Sequence, residues 1–118
     1  MGTFDCQVWI ESADGRRTLE LEAMVDTGST YTMVPAGLLH GLGVKPIRQV
    51  GLVLADGRRA LYDIGEARAT MDGESVNTLV VFGEDGARPL LGAYTLEGLG
   101  MAADPVHGRL VPMPNAWA

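Results

Sequence analysis

A chain of 118 residues, 47% hydrophobic and 20% charged, is long enough to bury one core and too apolar to stay disordered. Its net charge of −6 argues against nucleic acid and anionic membranes, which are bound through basic patches. A single cysteine, Cys6, cannot staple the fold, no apolar run is long enough to span a bilayer, and no signal peptide is evident; the expectation is one cytoplasmic domain over residues 1–118.

Residues 3–12 alternate as a strand with Phe4, Cys6, Val8 and Ile10 on one face, where Cys6 reads as a small packing residue. Residues 13–16 turn, and 17–25 return with Leu19, Leu21 and Ala23 alternating against polar neighbours. Residues 30–34, rich in β-branched and aromatic side chains, predict another strand. Pro35 opens a helical turn with Leu38, Leu39 and Leu42 at helical spacing and Gly43 as its stop. An extended run over 44–55, a turn at Asp56-Gly57 and a return over 59–71 predict a long hairpin with its tip at 55–59. After a turn at Asp72-Gly73 come an apolar strand over 76–82 and a polar loop over 83–88. Leu90-Leu91-Gly92 then precedes a short helix over 94–99. The tail over 102–113 is able to pair as strands, although Pro112 and Pro114 interrupt pairing at an edge. Six short strands, frequent Asp-Gly turns and two helical turns predict an all-β, barrel-like domain.

The chemistry concentrates at Ala23-Met24-Val25-Asp26-Thr27-Gly28-Ser29. A carboxylate straight after a buried strand is costly unless hydrogen-bonded, Gly28 lets backbone approach it, and Thr27 offers a bracing hydroxyl. Asp-Gly at 14–15, 56–57, 72–73 and 85–86 reads as plain turns; only Asp26 follows an apolar run and has a hydroxyl residue before its glycine. His40 and His107 lie far apart with no cysteine or acidic partner at ligand spacing, which predicts no metal site. Trp9, Tyr62 and Trp117 read as packing residues, with Tyr62 also placed to line a cleft beside the hairpin. No Ser-His-Asp, Cys-His or phosphate-loop pattern is present.

The Asp26 loop, the Leu90-Leu91-Gly92 motif 66 residues beyond it and the short helix that follows resemble the aspartic peptidases, in their single-domain, retropepsin-like branch. The resemblance spans nearly the whole chain. It implies a closed β-barrel with a flap hairpin and one short C-terminal helix, acting as a homodimer. It implies catalytic roles for Asp26, Thr27 and Gly28: Asp26 is the acid, Thr27 braces two loops against each other, and Gly28 lies along the substrate backbone. Ser29, Thr30, Met33 and Leu90 would line the substrate cleft, with Ser29 bonded to the outer oxygen of Asp26; Ala55, Asp56, Gly57 and Arg58 would cover it. Aspartic peptidases use two carboxylates, so with one such loop per chain the second is Asp26 of another copy. The implied partners are that second copy and an extended peptide or protein substrate, with no cofactor and no metal.

The sequence departs from the retroviral pattern in two places. That pattern has an Arg after the apolar-apolar-Gly motif and an Asp two residues beyond the catalytic Gly, paired near the dimer interface; here these positions are Ala93 and Thr30. The flap tip carries Asp56, Arg58 and Arg59 where retroviral tips are apolar, and arginines reading substrate there would favour acidic residues. The expected activity is that of an aspartic endopeptidase, the alternative a catalytically inactive peptide-binding or dimerisation module on the same fold.

Overall fold

The computed structural model describes residues 3–113. Strict alternation makes the first hairpin: β1 (Phe4–Glu11) and β2 (Thr18–Val25) pair antiparallel from Phe4↔Val25 to Glu11↔Thr18. One face buries Val8, Ile10, Ala23 and Val25, and the other is solvated. After the Asp26 loop, β3 (Thr32–Pro35) begins two residues later than predicted. The carbonyls of Ser29 and Thr30 instead accept the amides of Ala93 and Tyr94, both at 2.9 Å.

Helix α1 (Ala36–Gly41) follows Pro35 and stops at Gly43, whose φ of +81° an L-residue rarely adopts. Leu39 and Leu42 face the core, whereas Leu38 is exposed. The Gly37 amide donates to Asp85 Oδ1 at 2.8 Å, so Asp85-Gly86 is more than a plain turn. It satisfies a helix-end donor from across the chain.

Next comes the long hairpin of β4 (Pro46–Val53) and β5 (Arg59–Met71). Asp72 and Gly73, at φ +50° and +80°, connect β5 to β6 (Glu74–Gly83); two consecutive left-handed residues match the twist of a two-residue hairpin. The remaining elements are β7 (Leu90–Leu91), α2 (Ala93–Gly98) and a tail hairpin of β8 (Met101–Asp104) and β9 (Arg109–Pro112). The described residues therefore hold nine strands and two short helices, in place of the six strands expected. The additions are the two-residue β7 and the tail pair, in which Pro112 sits at the strand end opposite Met101 without breaking the ladder. Pro114 and Trp117 lie outside the described residues.

Seven strands form one sheet in the order β1-β2-β7-β3-β6-β5-β4, and β1 also pairs with β5 at Trp9↔Thr70, Ile10↔Ala69 and Glu11↔Arg68. That extra pairing closes β1, β2, β7, β3, β6 and β5 into a ring, while β4 and the first residues of β5 project from it. Ile10, Val34, Val80 and Leu91 fill the ring with α1's Leu39 and α2's Leu96. Because β7 is parallel to β2 and antiparallel to β3, Leu90-Leu91 is wedged between the strands entering and leaving the Asp26 loop. No helix among the described residues is long and apolar enough to cross a membrane.

Candidate active site

Asp26 is fixed at both ends of its own residue. Its amide donates to Leu91 O at 3.0 Å, and its carbonyl accepts the Ser29 amide at 3.1 Å. Its carboxylate accepts two further bonds, from the Gly28 amide to Oδ1 at 3.0 Å and from Ser29 Oγ to Oδ2 at 3.1 Å. Both oxygens are thereby oriented by donors from the same tight loop, which holds the group in one rotamer. A Cβ at Gly28 would stand 3.2 Å from Oδ1 and crowd the carboxylate.

Behind the loop lies a buried chain of hydroxyls. The Gly92 amide donates to Thr32 Oγ1 at 3.1 Å, Thr32 Oγ1 bonds Thr95 Oγ1 at 2.6 Å, and Thr95 Oγ1 bonds Thr78 Oγ1 at 2.9 Å. These three threonines come from β3, α2 and β6, so the network ties the loop's exit strand to the Leu-Leu-Gly segment, the helix and the far wall. Gly92 admits no side chain: a Cβ there would lie 2.5 Å from the backbone of Tyr31 and 2.9 Å from Ser29 O. This close approach explains why an apolar pair is followed by glycine.

A cavity of about 800 Å3 opens between this loop and the projecting hairpin. Of the residues singled out from sequence, Asp26, Gly28, Ser29, Thr30, Met33, Ala55, Tyr62 and Leu90 line it. Thr27 is exposed and does not line it. Asp56, Gly57 and Arg58 do not line it either: Arg58 Nε donates to Asp56 Oδ2 at 2.6 Å and the Arg58 amide to Asp56 Oδ1 at 3.0 Å. The tip closes on itself because an Asx turn places carboxylate and guanidinium side by side, and those two bonds, the backbone one first, hold Asp56 below the usual carboxylate range. Arg58 Nε is thereby turned toward Asp56, and the arginine does not line the cavity.

Three features escaped the sequence reading. The covering wall is mainly the run Val50–Leu54 at the end of β4, which joins Ala55 of the tip and the expected Tyr62, while the rest of the tip stays outside it. Period-2 alternation marks Val50, Leu52 and Tyr62 as one face of that hairpin, since Val50 pairs with Tyr62 and Leu52 with Ala60. Tyr31 also lines the cavity, and its ring packs on Tyr94 at 6.0 Å. These two residues stand one position beyond Thr30 and Ala93, so an aromatic pair joins the loop to α2 where the retroviral pattern has an ion pair. Finally, His107 is not without an acidic partner: Nδ1 lies 2.8 Å from Asp104 Oδ2 in the tail turn, and Arg109 Nε reaches the same oxygen at 3.4 Å.

No family model matches the sequence, and no curated protein matches it. Solved structures do. The chain is similar to the solution structure of the Simian Foamy Virus (mac) protease, with a TM-score of 0.53 and 21% identity over 78% of this chain and 92% of that one. It is also similar to the foamy viral protease-reverse transcriptase in complex with RNA/DNA hybrid, with a TM-score of 0.56 and 17% identity over 79% of this chain and 12% of that longer one. The architecture is thus mostly β and retropepsin-like, the fold of these proteases.

Proposed function

We propose that the chain is a single-domain aspartic endopeptidase that works as a homodimer, with Asp26 of each copy supplying one of the two carboxylates. The observation that carries this reading is the Asp26 carboxylate itself, held by the Gly28 amide and the Ser29 hydroxyl at the floor of a cavity able to receive an extended peptide. Thr27 and Gly28 are exposed beside it, as a loop must be if it meets its own copy across a two-fold axis. Two carboxylates brought together there share one proton, since like charges at close range do not both ionise readily. The ionised one takes a proton from a water molecule, whose oxygen attacks the scissile carbonyl carbon. The protonated one gives its proton to the carbonyl oxygen, and the tetrahedral intermediate collapses as the leaving nitrogen is protonated. Gly28 lies along the substrate backbone, and the Val50–Leu54 wall pairs with it as an added strand.

The test is cleavage of an unbiased peptide mixture from acid to neutral pH, read by mass spectrometry, with wild type and Asp26→Asn side by side at high protein concentration. Wild type cuts, the variant does not, and specific activity falls on dilution as the dimer dissociates. Equal cleavage by a folded Asp26→Asn protein refutes the mechanism. Peptide binding or dimer formation without cleavage at any pH assigns the inactive binding or dimerisation module instead.

A further inference from the structure

We infer that Glu84 makes the cavity selective for a peptide bearing a lysine or arginine side chain; this rests on reading the cavity as the peptide cleft. Among the described residues, Asp26 and Glu84 are the only charged ones that line it, and no cation does. Arg48, Arg58 and Arg59 belong to the same hairpin but none of them lines the cavity, and Arg58 is paired with Asp56 at the tip. Glu84, by contrast, forms no ion pair among the described residues. It is exposed at the end of β6, and its carbonyl accepts the Ala87 amide at 3.1 Å, which folds the following loop back alongside the cavity.

The neighbouring surface completes the match. Met33 packs over Gly83, where a Cβ would stand 2.7 Å from its Cγ, and Met33, Ala87 and Leu90 line the same cavity. An apolar wall ending in a carboxylate suits a side chain with an aliphatic stem and a cationic head, which buries the stem and leaves the charge at the rim. A neutral side chain of equal length gains only the wall. An acidic one meets two negative groups.

The test uses octapeptide pools with one position fixed in turn as Lys, Gln or Glu. Cleavage is followed with wild type, and binding by fluorescence anisotropy with Asp26→Asn protein, so that recognition is read apart from chemistry. Lys pools outperform Gln pools by roughly two- to fivefold, the range of a partly solvated ion pair. Glu84→Gln collapses that ratio, and Glu84→Lys inverts it in favour of Glu pools. Loss of the preference at 0.5 M salt is also expected. Lys pools that are bound and cut no better than Gln pools overturn the inference, as does a preference that survives Glu84→Gln. Cleavage without a Glu84-dependent preference removes this inference and leaves the peptidase standing. Glu84-dependent binding without cleavage does the reverse.

Discussion

Thr95→Val isolates the hydroxyl network behind the loop. The substitution keeps the side chain's shape and removes one oxygen from a site where Thr95, Thr32 and Thr78 are 0%, 2% and 3% exposed, so no bulk water reaches the groups left behind. Thr32 Oγ1 still accepts the Gly92 amide, but Thr78 Oγ1 loses the one side-chain bond it makes. An orphaned buried hydroxyl costs about 1–3 kcal/mol, and the lost Thr32 bond adds about 1 kcal/mol, for a total of roughly 2–4 kcal/mol. Against an ordinary domain stability of about 5–15 kcal/mol this is large, and urea unfolding reads it directly as a lower midpoint at constant slope. The sharper arm is the double variant Thr78→Val/Thr95→Val. It removes the orphan together with its partner and is expected to cost no more than Thr95→Val alone. A single variant costing less than about 0.5 kcal/mol, or a double whose cost is the sum of two independent losses, refutes the network as a coupled unit.

Two further outcomes follow from the same geometry. Gly92→Ala drives a methyl group into the backbone of Tyr31 and Ser29, which cannot rotate away; a loss of about 3 kcal/mol or more is expected by urea unfolding, with peptide cleavage falling too because the Asp26 loop must shift. Cys6 is half-buried, and that burial, reinforced by Asp5 and Asp72, pushes its thiol up from 9.0 to about 11. The folded protein keeps this proton while the unfolded chain releases it, so stability is level below pH 9 and falls between pH 9 and 11. Cys6→Ser flattens that decline, and alkylation of wild type by iodoacetamide reaches half its limiting rate near pH 11. Fast alkylation of the folded protein at pH 8 contradicts the assignment.

Local chemistry was legible in the sequence where neighbours in the chain are neighbours in space. The first hairpin, the left-handed Asp72-Gly73 turn and the stop at Gly43 follow from residues within a few positions of each other. The Asp26 loop was legible for the same reason: both donors to its carboxylate come from within three residues. Thr32, Thr78 and Thr95 carry no such signal, because a threonine in a strand or a one-turn helix reads equally well as solvated, and only the fold brings together groups up to 63 positions apart. Asp85 was indistinguishable from a turn residue because the donor it satisfies is 48 positions away. The hairpin tip differs for a subtler reason: a charged tip beside a cleft suggests side chains facing substrate, whereas Asp56 and Arg58, of opposite charge in one turn, bond each other and lie outside the cavity lining.

The 13 residues of β5 belong to two different mechanical bodies. Arg59–Asp63 pair with β4 alone, whereas Arg68–Thr70 are held on one side by β6 and on the other by β1, inside the closed ring. A strand with one end clamped and the other free behaves as a cantilever, and its root falls near Gly65, where a Cβ would already stand 2.8 Å from Lys45 O. Amide exchange along this one strand therefore changes regime partway, from local opening of the hairpin to opening that requires the whole barrel to come apart. Substitutions at residues 59–63 are therefore expected to act on the hairpin that walls the cavity before they act on the closed ring a few positions further along.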